Sequence, residues 1–137
     1  GTMRSLGDSR WINKYIGIPY LKGGRGPDSF DCYGLCVSVY HDQYGITLPD
    51  WKGVESWDMR KRAKLIGSIA NSNQWKEKDV PDDGDFVVVR RTQAAWHMGI
   101  VFAAGVLHCY ESQGVVFEPL KVFQLRFGNV VFGSWNI

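Results

Sequence analysis

Long apolar runs are missing from this chain: none approaches the roughly 20 residues that a membrane-spanning helix needs, so no stretch reads as a membrane span. Cysteine is scarce. Three in 137 residues is an odd count, and with no secretory signal ahead of them the expectation is reduced thiols rather than a disulfide framework. Surplus charge is lacking too, since 16 Lys and Arg against 14 Asp and Glu leave a formal +2. That is too little to argue for a nucleic-acid partner. The local cluster of Arg60, Lys61, Arg62 and Lys64 reads first as a solvated helix face, with contact to an anionic polymer as the alternative. Internal repeats, linkers and low-complexity tracts are absent, which leaves a single domain. Gly1-Thr2 ahead of Met3 reads as a tag remnant, so residues 1–3 are set aside and 4–137 form that domain in expectation.

What is present is enough apolar material for a core: 45% hydrophobic residues and 14% aromatic ones, which argues against disorder. Residues 4–16 carry Leu6, Trp11, Ile12, Tyr15 and Ile16 and predict a short amphipathic helix on that core. A glycine-rich loop follows, then a helix over about 30–44 in which Leu35, Cys36, Val39 and Tyr40 recur at helical spacing until Gly45. A second helix is expected over 54–73 and a short edge segment over 75–78. Strands are expected over 86–90, 96–103, 106–110, 115–119 and 127–132, each bounded by turn residues. Helices first and strands afterwards imply an α+β domain, its mostly antiparallel sheet of five to six strands covered by helices on one side.

The stretch Phe30-Asp31-Cys32-Tyr33-Gly34-Leu35 organises the rest. Ser29 or Asp31 can cap the helix, which puts Cys32 in its first turn. There the unpaired N–H groups and the helix dipole favour a thiolate and could hold the oxyanion of a tetrahedral intermediate.

These residues, with Tyr15-Ile16-Gly17-Ile18-Pro19-Tyr20, Gly23-Gly24, Gly45-Ile46-Thr47-Leu48-Pro49, Gly84-Asp85-Phe86-Val87, His97-Met98-Gly99-Ile100-Val101 and His108, stand in an order that resembles the NlpC/P60 family of papain-like cysteine peptidases. The blocks cover about residues 11–120. The resemblance implies a papain-like fold and a Cys-His-His triad of Cys32, His97 and His108. It also implies a hydroxyl from Tyr20 near the oxyanion or substrate, and Asp31 holding a substrate amine. A packed core tyrosine and a plain helix cap are the respective alternatives. Tyr33 departs from the serine usual after the nucleophile in wall-hydrolysing members. It resembles the branch found in bacteriophage tails and gene-transfer particles, and its bulk would reshape the substrate groove.

The base can be weighed from the residues as well. His41 points elsewhere on the first helix. His97 shares a strand face with Gly99 and Val101, and small Gly99 would leave room for a helix end. From periodicity alone the leading reading of His97 is a strand-start histidine satisfied by backbone; the resemblance reverses this and implies the general base. Whether His108 reaches it depends on register. If the reversal is centred between Ala103 and Ala104, His108 is a diagonal same-face neighbour of His97; if on Ala104-Gly105, it faces Val101 and the triad fails.

The resemblance thus implies a thiol peptidase cutting D-amino-acid-containing stem peptides of peptidoglycan, with no cofactor, and its tail-protein branch implies a tail-borne enzyme partnered by phage tail proteins. The rivals are a catalytically weak tail-assembly or wall-recognition module and an amidase or acyltransferase on the same fold. A metal centre of Cys32, Cys36, His97, His108 and Cys109 is weaker, because zinc thiols usually come from loop knuckles and Cys36 fits the apolar stripe. The cellular location stays open between a virion tail and the periplasm or wall.

Overall fold

The computed structural model describes residues 9–49, 74–91 and 94–135. The helix expected over 54–73, the basic cluster at 60–64 and Leu6 lie outside them. The chain enters through a short 3-10 helix, Ser9–Lys14, rather than a helix running to residue 16. Ile12 and Tyr15 are buried, and Trp11 meets Phe102 edge-on at 5.3 Å. Ile16, expected on the core, lies beyond the helix in a turn and is 45% exposed.

Helix α1 runs Cys32–Tyr44. It starts where Asp31, in extended conformation, accepts the N–H of Gly34 at 2.6 Å. It stops at Gly45, whose φ of 68° is the left-handed conformation glycine adopts without a Cβ penalty. There the N–H of Gly45 bonds to the His41 carbonyl and that of Ile46 to the Tyr40 carbonyl, closing the last turn. Leu35, Cys36, Val39 and Tyr40 form its fully buried stripe.

The strands are β1 Trp75–Lys78, β2 Phe86–Arg91, β3 Ala94–Phe102, β4 Gly105–Tyr110, β5 Gly114–Pro119 and β6 Val130–Trp135. They form one six-stranded antiparallel sheet in the order β1-β6-β2-β3-β4-β5. Helix α2, Leu120–Phe127, lies between β5 and β6. It replaces the first part of the strand expected over 127–132 and shifts that strand to 130–135. Its start has no side-chain cap, so α2 is held by burying Phe123 and Phe127, as tertiary packing holds most short helices.

This second helix also corrects the expectation of a sheet covered on one side. Strand alternation turns Phe86, Val88, Met98, Ile100, Leu107 and Cys109 toward α1 in one core. Val87, Val89, Val101 and Val106 join Phe123 and Phe127 in another. On the α1 side Tyr40 stacks on Phe86 at 4.7 Å, and Phe86 in turn on Trp75 at 6.2 Å.

Candidate active site

The loop before α1 is wound tightly around the helix start. Phe30 N donates to the Pro19 carbonyl and Leu21 N to the Phe30 carbonyl, at 3.1 and 2.9 Å, so half-buried Tyr20 lies alongside the segment that leads into Cys32. Asp31 N donates to the Gly24 carbonyl at 3.1 Å. A Cβ on Gly34 would fall 1.9 Å from that same carbonyl oxygen. Glycine at 34 is therefore what lets the loop close over the first turn.

Asp31 is 1% exposed. Its Oδ1 takes Gly34 N and, at 2.8 Å, the Arg25 guanidinium. The Arg25 guanidinium pairs with the buried carboxylate and offsets its charge. Cys32 opens α1 and is 3% exposed. The other two thiols are held protonated: burial pushes Cys36 well above the usual thiol range and Cys109 up to about 12. Cys109 Sγ also donates to the Phe30 carbonyl at 3.3 Å. Tyr33 is buried, its hydroxyl donating to the Pro49 carbonyl and its ring 5.4 Å beneath the Arg25 guanidinium.

The imidazoles meet on the other side of the β3–β4 pair. Ile100 faces Leu107, Val101 faces Val106 and Phe102 faces Gly105, with left-handed Ala103 (φ 49°) and Ala104 (φ 57°) as the two turn residues. This is a two-residue hairpin of the kind whose twist matches its strands, and the first of the two registers considered. His97 Nε2 and His108 Nδ1 are 3.0 Å apart. The room at Gly99 goes not to a helix end but to the neighbouring strand: a Cβ there would lie 2.9 Å from His108 Cβ and 2.7 Å from Val106 Cγ1.

Both imidazoles are buried, under Phe123 and Phe127 of α2 and, for His97, Tyr110. Burial lowers His108 to a pKa of about 4, with Glu118 pulling the other way. His108 Nε2 lies 3.0 Å from Glu118 Oε1, and Arg126 Nη1 reaches both Glu118 oxygens at 3.0 and 2.7 Å. Glu118 and Arg126 were not singled out in the sequence. The signal for them was α2 itself, whose Phe123 and Phe127 spacing brings Arg126 back over β5.

Asp31, Cys32 and Tyr33 lie at the start of α1 with Tyr20 on the loop that leads into it, and His97 and His108 form a bonded pair under α2. Cys109, one residue from His108, contacts the segment that leads into α1. His41 is exposed, 3.4 Å from Asp42. Among the described residues no group of three or more His, Cys, Asp or Glu side chains is arranged around a metal position. A cavity of about 310 Å³ opens among β1, β2 and β6, lined by Glu77, Lys78, Asp79, Arg90, Val130, Val131 and Phe132, and holds none of the candidates.

The NlpC/P60 family model matches residues 17–132. This chain belongs to the NlpC/P60 family. Members of the family are peptidoglycan hydrolases or peptidases. Among curated relatives, the "Probable endopeptidase p60" of Listeria grayi is 27% identical over 107 residues, covering 78% of this chain and 18% of that protein. The gamma-DL-glutamyl hydrolase of Bacillus subtilis (strain 168) is 51% identical over 37 residues, 26% of this chain and 9% of the relative. The chain thus spans less than a fifth of either relative. Among solved structures, the NlpC/p60 domain of the peptidoglycan hydrolase SagA superposes with a TM-score of 0.61 at 20% identity, covering 90% of this chain and 91% of that one. NlpC2 of Trichomonas vaginalis gives 0.62 at 19%, covering 91% and 44%. At these identities the likeness is one of fold. The NlpC/P60 fold here is the two described helices and the six-stranded antiparallel sheet.

Proposed function

We propose that this NlpC/P60 domain is a thiol peptidase that hydrolyses D-amino-acid-containing stem peptides of peptidoglycan, with Cys32 as nucleophile, His97 as base and His108 as its orienting partner. The observation that supports the reading is the 3.0 Å contact between His97 Nε2 and His108 Nδ1, the contact a base makes with its orienting partner, and in this reading His97 serves the thiol through Nδ1. The reaction requires the Cys32 sulfur at the front of α1 to come within hydrogen-bond reach of that nitrogen.

In the proposed mechanism His97 takes the thiol proton and the Cys32 sulfur attacks the scissile carbonyl carbon. The oxyanion is held by N–H groups at the start of α1, with the Tyr20 hydroxyl beside them. His97 gives its proton to the departing amine as the carbon–nitrogen bond breaks, leaving a thioester. Water, deprotonated by His97, then attacks the thioester, releases the new carboxylate and returns the proton to Cys32. Asp31, adjoining the nucleophile, is proposed to hold the free amine of the substrate while it caps α1. The proposed setting is a phage tail or gene-transfer particle opening the wall locally; the aromatic Tyr33 after the nucleophile supports it, and neighbouring genes for tail components would add to it.

The test is mass spectrometry of purified muropeptides after incubation with wild type and Cys32→Ala. New stem-peptide termini with wild type alone are expected. Equal products from both proteins would reject the enzyme. Cleavage at the sugar–peptide amide, or transfer of the acyl group, would assign an amidase or an acyltransferase instead.

A further inference from the structure

The β4–β5 register sets Val106 opposite Glu118 and His108 opposite Val116. Glu118 is therefore the diagonal same-face neighbour of His108, within reach of a long side chain. The carboxylate lies 3.0 Å from His108 Nε2 and is gripped from beyond by Arg126, whose Nη2 also bonds Gln113 Oε1 at 3.2 Å. Helix α2 delivers that arginine from a fixed origin, since Leu120 N donates to the Ala104 carbonyl at 2.9 Å. Arg126, Glu118, His108 and His97 thus form one unbroken line of polar contacts.

Proton positions along this line follow from what each group can do. A carboxylate paired with a guanidinium only accepts, so the proton between Glu118 and His108 resides on His108 Nε2. A neutral imidazole protonated there carries a lone pair on Nδ1. That lone pair faces His97 Nε2, which must then be the donor, and the lone pair of His97 is left on Nδ1. Reverse the first proton and the series inverts: His108 Nδ1 would donate, His97 Nε2 would accept, and His97 Nδ1 would carry a hydrogen and be unable to take one from a thiol.

We infer that Glu118, held by Arg126, is a positioning residue that sets the tautomer of His108 and through it that of His97; the inference rests on the reading of His97 as the base. Burial assists by keeping His108 neutral at neutral pH. A doubly protonated His108 would donate to His97 Nε2 and defeat the arrangement.

The experiment reads the tautomers directly. Long-range proton–nitrogen correlation spectra of the ¹⁵N-labelled chain at neutral pH should give His97 and His108 as neutral rings protonated on Nε2, distinct from exposed His41. His108 protonated on Nδ1, or on both nitrogens, overturns the inference without any variant having to fold. Glu118→Gln keeps an acceptor oxygen and should leave both tautomers in place, with muropeptide cleavage within about threefold of wild type. Glu118→Leu removes the acceptor: the tautomers should mix and kcat fall roughly 10–100-fold, the range for loss of an orienting partner, with KM nearly unchanged. Unaltered tautomers and unaltered kcat in Glu118→Leu would overturn it as well. Correct tautomers in a wild-type protein that cleaves no muropeptide would sink the peptidase reading alone.

Discussion

One oxygen of Asp31 serves two donors: Gly34 N of the first turn of α1 at 2.6 Å, and the Arg25 guanidinium from the preceding loop at 2.8 Å. The carboxylate is buried and its cation only 18% exposed. Removing one partner of such a pair strands the other charge, at a cost of about 3 kcal/mol. Arg25→Leu is therefore expected to lower the unfolding free energy by about that much in urea titrations. A loss below about 1 kcal/mol would mean that the pair is no stronger than a surface salt bridge.

The three thiols should separate by reactivity. At neutral pH an alkylating reagent is expected to modify Cys32 at least tenfold faster than Cys36 or Cys109, whose burial keeps them protonated. His97→Ala should slow the reaction at Cys32 and leave the other two as they were. Equal rates at all three sites, followed by peptide mapping, would remove the case for an activated sulfur.

Gly99 is a steric test of the histidine pair. A methyl group there meets the Cβ of His108 and the Cγ1 of Val106 below 3 Å, so β4 must shift or His108 must turn. Gly99→Ala is expected to cost about 1–3 kcal/mol, as overpacking does, and to reduce peptide hydrolysis by more than tenfold at temperatures where the variant remains folded. Full activity would show that the two rings need not be held as they are.

Acid should act on His108. Its folded pKa is depressed from 6.5 to about 4, so between those values the unfolded chain binds more protons than the folded one. Stability on this account is fully present above about pH 6.5 and is lost as the pH falls toward 4, by roughly 3 kcal/mol in all. Denaturant midpoints measured across that window should drop in wild type and drop less in His108→Gln. Parallel curves would refute the assignment.

Much of this was legible in the sequence because the signals were local. The run from Asp31 to Gly45 holds a cap, an apolar stripe and a glycine stop, and α1 formed within two residues of expectation. The strands before Leu120 announced themselves through valine and turn residues. The α2 segment did not. Its eight residues lack a side-chain cap, and Leu120, Phe123 and Phe127 become a helical stripe only once the valine face of the sheet exists to receive it. Register was the other open question. Two hairpin centres fitted the letters equally, and what selected between them was left-handed backbone at both Ala103 and Ala104, a conformation alanine seldom adopts on its own account. Glu118 went unseen for the same reason as α2: the arginine that marks it arrives from a helix built by long-range packing.

The strand order carries a cost in time. Because β6 slots between β1 and β2, the sheet is closed by a segment that the ribosome releases more than 40 residues after Val89. Until Val130 to Trp135 dock, Phe86 to Val89 present a valine-rich border with free backbone groups, an invitation to intermolecular pairing. A truncated product ending before Val130 would be expected to precipitate rather than persist as a smaller folded unit.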